Sequence, residues 1–134
     1  MLAASTKVGD VHELQLVDDL TRTQIVQYAG ASGDYNPLHS DEPFAKGVAG
    51  YPGVFAHGML TMGMTGRLLV DLAGPEGLLS YGVRFKSQVW PGDSLTATAT
   101  VTEVADGVAA LSVVTTNQRG EEVLAGTASV RIAG

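Results

Sequence analysis

The segment Tyr28-Ala-Gly-Ala-Ser-Gly-Asp-Tyr-Asn-Pro-Leu-His39 places one carboxylate, Asp34, and one imidazole, His39, five residues apart. An acid and a base this close can divide a proton transfer between them. Asn36 and Pro37 lie between them and dictate a turn rather than a continuing helix. A second segment, Ala56-His57-Gly58-Met59-Leu60, puts a glycine at the head of an apolar run. If a helix begins there, the Gly58 N–H lacks an intrahelical acceptor and feels the positive end of the helix dipole, a setting that suits a developing oxyanion. Each residue also has a plainer reading: Asp34 as a cap, His39 as a structural donor, Gly58 as a small residue at a helix start. Spacing alone leaves these pairs of readings level. His57 can donate to a loop carbonyl or touch a substrate.

The elements that must position these groups follow from periodicity. Val11–Val17 alternates weakly and predicts a first strand. Asp18, Asp19 and Thr21 are start signals for a helix with Ile25, Val26 and Ala29 on its apolar side, ending between Gly30 and Gly33. A short helical turn is expected over Asp41–Lys46, and loop from there to His57. Gly58–Ala73 predicts a helix so apolar that it must be buried, with Arg67 and Asp71 sharing its one exposed stripe. Gly63 and Gly66 inside it are costly and imply close packing on a sheet or room for a substrate tail. Leu79–Val89, Ser94–Thr102, Val108–Thr116 and Glu122–Ile132 then read as strands, the last three a meander through turns at Asp106-Gly107 and Gln118–Gly120. The expected class is α+β: one domain over 1–134, a curved antiparallel sheet wrapped around a buried helix. One sheet cannot wall such a helix on every side, so a dimer is expected.

With 134 residues and 45% hydrophobic content the chain can build one moderate core. It has no cysteine, which excludes disulfides and thiolate metal sites and fits a cytoplasmic location. The net charge is −6 and the eight Lys/Arg residues form no run, which argues against nucleic acid as a partner. Arg84 and Lys86 alone are close, at the spacing of one strand face. They are candidates for a phosphate or carrier contact, against the plainer reading of two solvated strand residues. Gly47–Gly66 lacks any charge, but six glycines and Pro52 break it up, so it is expected as a loop and helix start rather than a membrane span.

Tyr28-x-x-x-Ser32-Gly-Asp34-x-Asn36-Pro37-x-His39, followed by Phe44-Ala45 and Ala56-His57-Gly58-Met59, resembles the MaoC-like (R)-specific enoyl-thioester hydratase/dehydratase family. Val8-Gly9-Asp10, Tyr81-x-Val83-Arg84-Phe85 and Pro91-Gly92-Asp93 fall in the same family order, and the whole is most similar to the catalytic subunit of actinobacterial fatty-acid-synthase-type dehydratases. The resemblance implies the hot-dog fold, and it implies Asp34 and His39 as the catalytic pair that holds a water against the double bond. It implies the Gly58 N–H as the thioester-oxygen donor, with Asn36, Ser32 and His57 supporting. It further implies no metal or redox cofactor, a substrate carried on CoA or the phosphopantetheine of an acyl carrier protein, and a homodimer or a heterodimer with a related subunit. A hot-dog thioesterase, and a subunit active only with its partner, are the competing expectations.

Overall fold

The computed structural model describes all 134 residues. Five strands, β1 (Val11–Val17), β2 (Leu78–Phe85), β3 (Leu95–Ala105), β4 (Val108–Thr116) and β5 (Glu122–Arg131), form one antiparallel sheet in the order β1-β3-β4-β5-β2. The β3–β4–β5 meander is where the sequence alternates best. Leu95, Ala97, Ala99 and Val101 all turn into the core while the intervening threonines face outward. Asp106 and Gly107 take positive φ (52° and 75°), the two-residue turn that matches strand twist.

Two α-helices lie before β2: α1 (Arg22–Ser32) and the long α2 (Gly58–Ala73). Helix α1 starts at neither Asp18 nor Asp19. Thr21 is its N-cap, in a reciprocal capping box with Gln24 that satisfies two orphan donors. Asp19 takes φ 55° in the preceding turn. Ile25 and Ala29 are buried as expected, but Val26 points out to solvent. Gly33 ends the helix at φ 78°, its N–H donating to the Ala29 carbonyl.

Helix α2 is not walled on all sides. Thr61, Thr65, Leu68, Leu69 and Ala73 face the sheet, whereas Met59, Gly63, Arg67, Val70 and Asp71 lie on an open face. Leu68, Leu69 and Ala73 join the 19-residue core with Leu95, Val101, Leu111, Val113 and Val130, and each fully buried aliphatic side chain contributes about 1.5–3 kcal/mol. Two threonines on this face are the feature the apolar periodicity hides. The Thr65 hydroxyl meets the Thr115 hydroxyl of β4 at 2.6 Å, both fully buried, so each satisfies the other. Tyr81 on β2 donates its hydroxyl to the Met62 carbonyl, and burial pushes its pKa up to about 12. Gly66 approaches the Tyr81 ring, but no atom lies within 4 Å of where a Cβ on Gly63 would stand. The contact at Gly66 is an ordinary van der Waals one at 3.6 Å, so close helix–sheet packing demands glycine at neither position. No helix is long and apolar enough to cross a membrane.

Strand β2 stops at Phe85, four residues short of the alternating pattern. The N–H groups of Lys86 and Ser87 both reach the Val123 carbonyl, and the chain then leaves the sheet. Further on, the Val89 carbonyl accepts from the Ala56 N–H, so the departing segment runs beside the loop that leads into α2. This departure opens the cleft described next.

Candidate active site

Asp34 follows directly on the left-handed cap of α1, and short-range hydrogen bonds shape its turn. The Ser32 hydroxyl accepts from the Asp34 N–H at 3.1 Å, the Asp34 carboxylate accepts from the Asn36 N–H at 3.2 Å, and the Asn36 side-chain oxygen accepts from the Leu38 N–H at 3.0 Å. These Asx turns feed a single 3₁₀ turn, Pro37–His39, in which proline supplies the fixed φ and needs no donor. The Asp34 carboxylate caps the turn, and one of its oxygens also lies within 4.8 Å of imidazole nitrogens of His39 and His57. Ser32 and Asn36 accept from main-chain N–H groups of the turn.

The segment after the turn folds back over it. The chain continues through a π-helical turn, Phe44–Val48, which ends two residues beyond the expected Asp41–Lys46 turn. The Phe55 N–H donates to the Leu38 carbonyl at 3.3 Å. His39, 9% exposed, donates Nδ1–H to the Phe55 carbonyl at 2.6 Å, since a carbonyl can only accept. That bond fixes the tautomer and leaves Nε2 as the free, basic nitrogen. Burial lowers the His39 pKa below 6.5; the Phe55 bond opposes this, His57 adds to it and Asp34 opposes it.

His57 is buried, and its Nε2–H donates to the main-chain carbonyl of Asp34 at 3.0 Å. Its ring stacks on His39 with centroids 3.8 Å apart and planes 25° apart, and Tyr28 meets it edge-on at 4.8 Å. At 1% exposure it is a loop-carbonyl donor, not a substrate contact. Ligand atoms of Asp34, His39 and His57 all lie within 4.8 Å of one another, a spacing that could also admit a cation.

His57 also begins α2. Leu60 and Thr61 donate to its carbonyl, which leaves the Gly58 N–H ahead of them without an intrahelical acceptor. Gly58 lines a cleft of about 280 Å³ with Phe55, Thr61, Phe85, Lys86, Val89 and Val123 among its walls. A Cβ on Gly58 would stand 3.1 Å from the Phe85 ring, so a larger residue there would press on that ring. Lys86 lies at the cleft rim, beyond the end of β2, with its ammonium on Glu122 at 2.9 Å. Arg84 is on the strand, outside this lining. Neither the carbonyl of Phe55 nor the ring of Phe85 was legible as part of a site, because both arrive through tertiary folding with no local pattern around them.

A curved antiparallel sheet packed on a long helix, with an Asp/His pair on the turn that His57 ties to the helix start, defines a hot-dog protein. The chain belongs to the MaoC-like domain family, which it matches over residues 4–123. It is 38% identical over 103 residues to 3-hydroxyacyl-thioester dehydratase Y of Mycobacterium tuberculosis, a match covering 75% of this chain and 36% of that protein. The chain thus spans little more than a third of that curated relative. Its fold matches the (R)-hydratase from A. caviae involved in PHA biosynthesis with a TM-score of 0.85 and 30% identity, covering 97% of this chain and 99% of that one. A chain of the ChsH1-ChsH2 complex from Mycobacterium tuberculosis matches with a TM-score of 0.82 and 28% identity, covering 96% and 99%.

Proposed function

We propose that this protein interconverts (3R)-hydroxyacyl thioesters and trans-2-enoyl thioesters plus water. One observation carries the reading: Asp34, His39 and His57 bring a carboxylate oxygen and imidazole nitrogens within 4.8 Å of one another, and His57 leads directly into Gly58, which lines a partly apolar cleft. The thioester oxygen docks on Gly58 N–H, which stabilises the charge that develops there when C3 is attacked. A water held between Asp34 and His39 adds its oxygen to C3. The Asp34–His39 pair takes one proton from it, and the pair returns a proton to C2. Dehydration runs the same path backwards: the C2 proton leaves to the pair and the 3-hydroxyl departs as water after protonation. His39 enters with Nε2 bare, so it begins as a proton acceptor. The chemistry written this way calls for no metal or redox cofactor, and CoA or a carrier-bound phosphopantetheine can each deliver the thioester.

The open face of α2 and the free edge of β2 support a dimer. Met59, Val70, Leu79 and Phe85 on these two elements are 39–55% exposed, apolar side chains near a strand whose outer edge has no partner. Either a second copy or a related hot-dog chain would cover it.

The test is to mix the purified chain with crotonyl-CoA and longer enoyl thioesters, following loss of the conjugated double bond and the configuration of the 3-hydroxy product. Release of free thiol without loss of the alkene would instead indicate a thioesterase. Mass measurement on the same sample, with activity, separates a self-sufficient dimer from a subunit that needs a partner.

A further inference from the structure

We propose that His57 is the positioning residue of this site, a buried imidazole that sets the acid–base pair and the oxyanion-binding N–H relative to one another. The inference rests on the hydratase/dehydratase reading above. Three connections meet in this residue. Its Nε2–H holds the main chain of Asp34 at 3.0 Å. Its ring lies 3.8 Å from that of His39, nearly parallel, and so limits the tilt of the nitrogen that faces the water. Its own peptide bond leads to Gly58, and its carbonyl takes the first hydrogen bonds of α2, from Leu60 and Thr61. Asp34 and His39 share one turn and Gly58 comes from another piece of chain, and His57 is bonded to or packed on all three.

Two observations distinguish this from a core histidine satisfied in passing. The other ring nitrogen, Nδ1, is buried without a hydrogen-bond partner. Buried polar atoms are normally paired, and one left bare marks a residue whose ring is kept for another reason. The ring is also inaccessible, so His57 cannot meet substrate and must act through its neighbours. Tyr28, edge-on at 4.8 Å, backs the ring from the α1 side.

Two substitutions separate the donor from the ring. His57→Gln keeps an amide N–H near the place of Nε2 but loses the stack. His57→Phe keeps a flat ring against His39 but releases the Asp34 carbonyl. Displacing a catalytic group by about an ångström costs on the order of 10²-fold, so folded His57→Phe is expected to lose about 10- to 100-fold in kcat with KM changed less than about threefold. His57→Gln is expected to recover most of that loss. Melting temperatures of both variants report whether each folds.

An arm independent of activity uses imidazole ¹⁵N shifts of the unliganded protein. His57 is expected as the Nε2–H tautomer and His39 as Nδ1–H. The titratable groups facing His39 are Asp34 and His57, and loss of the second should raise the His39 midpoint in both variants. A folded His57→Phe with wild-type kcat, a His57 found as Nδ1–H, or a His39 midpoint unmoved in both variants would each overturn the proposal. Wild-type protein inactive on every enoyl thioester would remove the hydratase reading instead, while the tautomer and the titration still decide the role of His57.

Discussion

The ring of Phe85 stands against Gly58 so closely that a Cβ there would lie 3.1–3.2 Å from three ring carbons. Strand β2 ends at this phenylalanine, and α2 begins at this glycine. The N–H that would hold the thioester oxygen is therefore bounded by an aromatic side chain from the far end of the sequence. Gly58→Ala should push the ring aside and lower kcat/KM by about 10- to 100-fold, in the range of losing an oxyanion donor. Adding Phe85→Leu to Gly58→Ala should restore part of the loss, a coupling that a double-mutant cycle on kcat/KM reads directly.

Asp34→Asn and His39→Gln should each reduce turnover by about 10²-fold or more, measured on a short enoyl thioester. The asparagine retains an oxygen that can accept from the Asn36 N–H, so the turn and the melting temperature should be preserved in that variant. Full activity in either protein would end the assignment of the pair.

The pH dependence follows from burial of His39. Its folded pKa is lowered from 6.5, chiefly by desolvation. The neutral, proton-accepting form thus persists below pH 6.5, and the acid limb of kcat/KM should fall beneath that value. The same shift has a stability sign. A lowered folded pKa gives a contribution that is complete above 6.5 and is lost as pH falls through the folded value. His39→Gln should flatten that part of the stability profile, as urea unfolding from about 0.5 unit above to about 1.5 units below the ordinary imidazole value would show.

Much of this architecture follows visibly from residue order. The Asp34–His39 turn is local: its Asx bonds span two residues each, and the sequence Ser-Gly-Asp-x-Asn-Pro specifies them. The meander is equally plain, because alternation over β3 and β4 leaves one face for the core. The start of α1 was also present in the order Thr21-x-x-Gln24, although two aspartates just before it carry the same kind of signal. What could not be read depends on distant partners. Alternation runs on past Phe85, yet two N–H groups turn to one carbonyl of Val123 and end the strand. Apolar spacing conceals that Thr61 and Thr65 face the sheet, because a buried threonine needs a partner such as Thr115 fifty positions away.

Gly126 of β5 lies beneath β2, where an added Cβ would be 1.9 Å from the Gly82 carbonyl oxygen and 2.7 Å from the Val83 Cα. Main-chain atoms cannot yield as a flexible side chain does. Gly126→Ala should therefore destabilise the fold by about 3 kcal/mol or more, an overpacking cost at the upper end for core changes. Denaturant unfolding measures it, with Gly63→Ala as the contrasting case: open space surrounds that position, and alanine is expected to be tolerated or to stabilise the helix slightly in the monomer.

Glu42 ties together the covering segment. It pairs with Arg22 of α1 and with Lys46 at 3.7 Å, and it accepts from the Val54 N–H at 3.4 Å. The Arg22 bond, foremost, holds its carboxyl down to about 2 from an ordinary 4.5. Its contribution is thus complete above pH 4.5 and lost as pH falls towards 2, a window visible in acid unfolding. Glu42→Gln should remove that slope and speed proteolysis of the loop over residues 47–55, scored by limited digestion at neutral pH.

All the groups assigned to proton handling and oxyanion binding lie between Asp34 and Gly58, a run of twenty-five positions. Phe55 and Ala56 apart, the cleft walls that would sort one acyl chain from another come mostly from elsewhere, Thr61, Phe85, Val89 and Val123 among them. Reaction and selectivity are in this way written in different stretches of the chain. Variation in the second can diversify what is accepted without revising the first. A short signature can consequently name the reaction of such a protein while remaining silent about its diet.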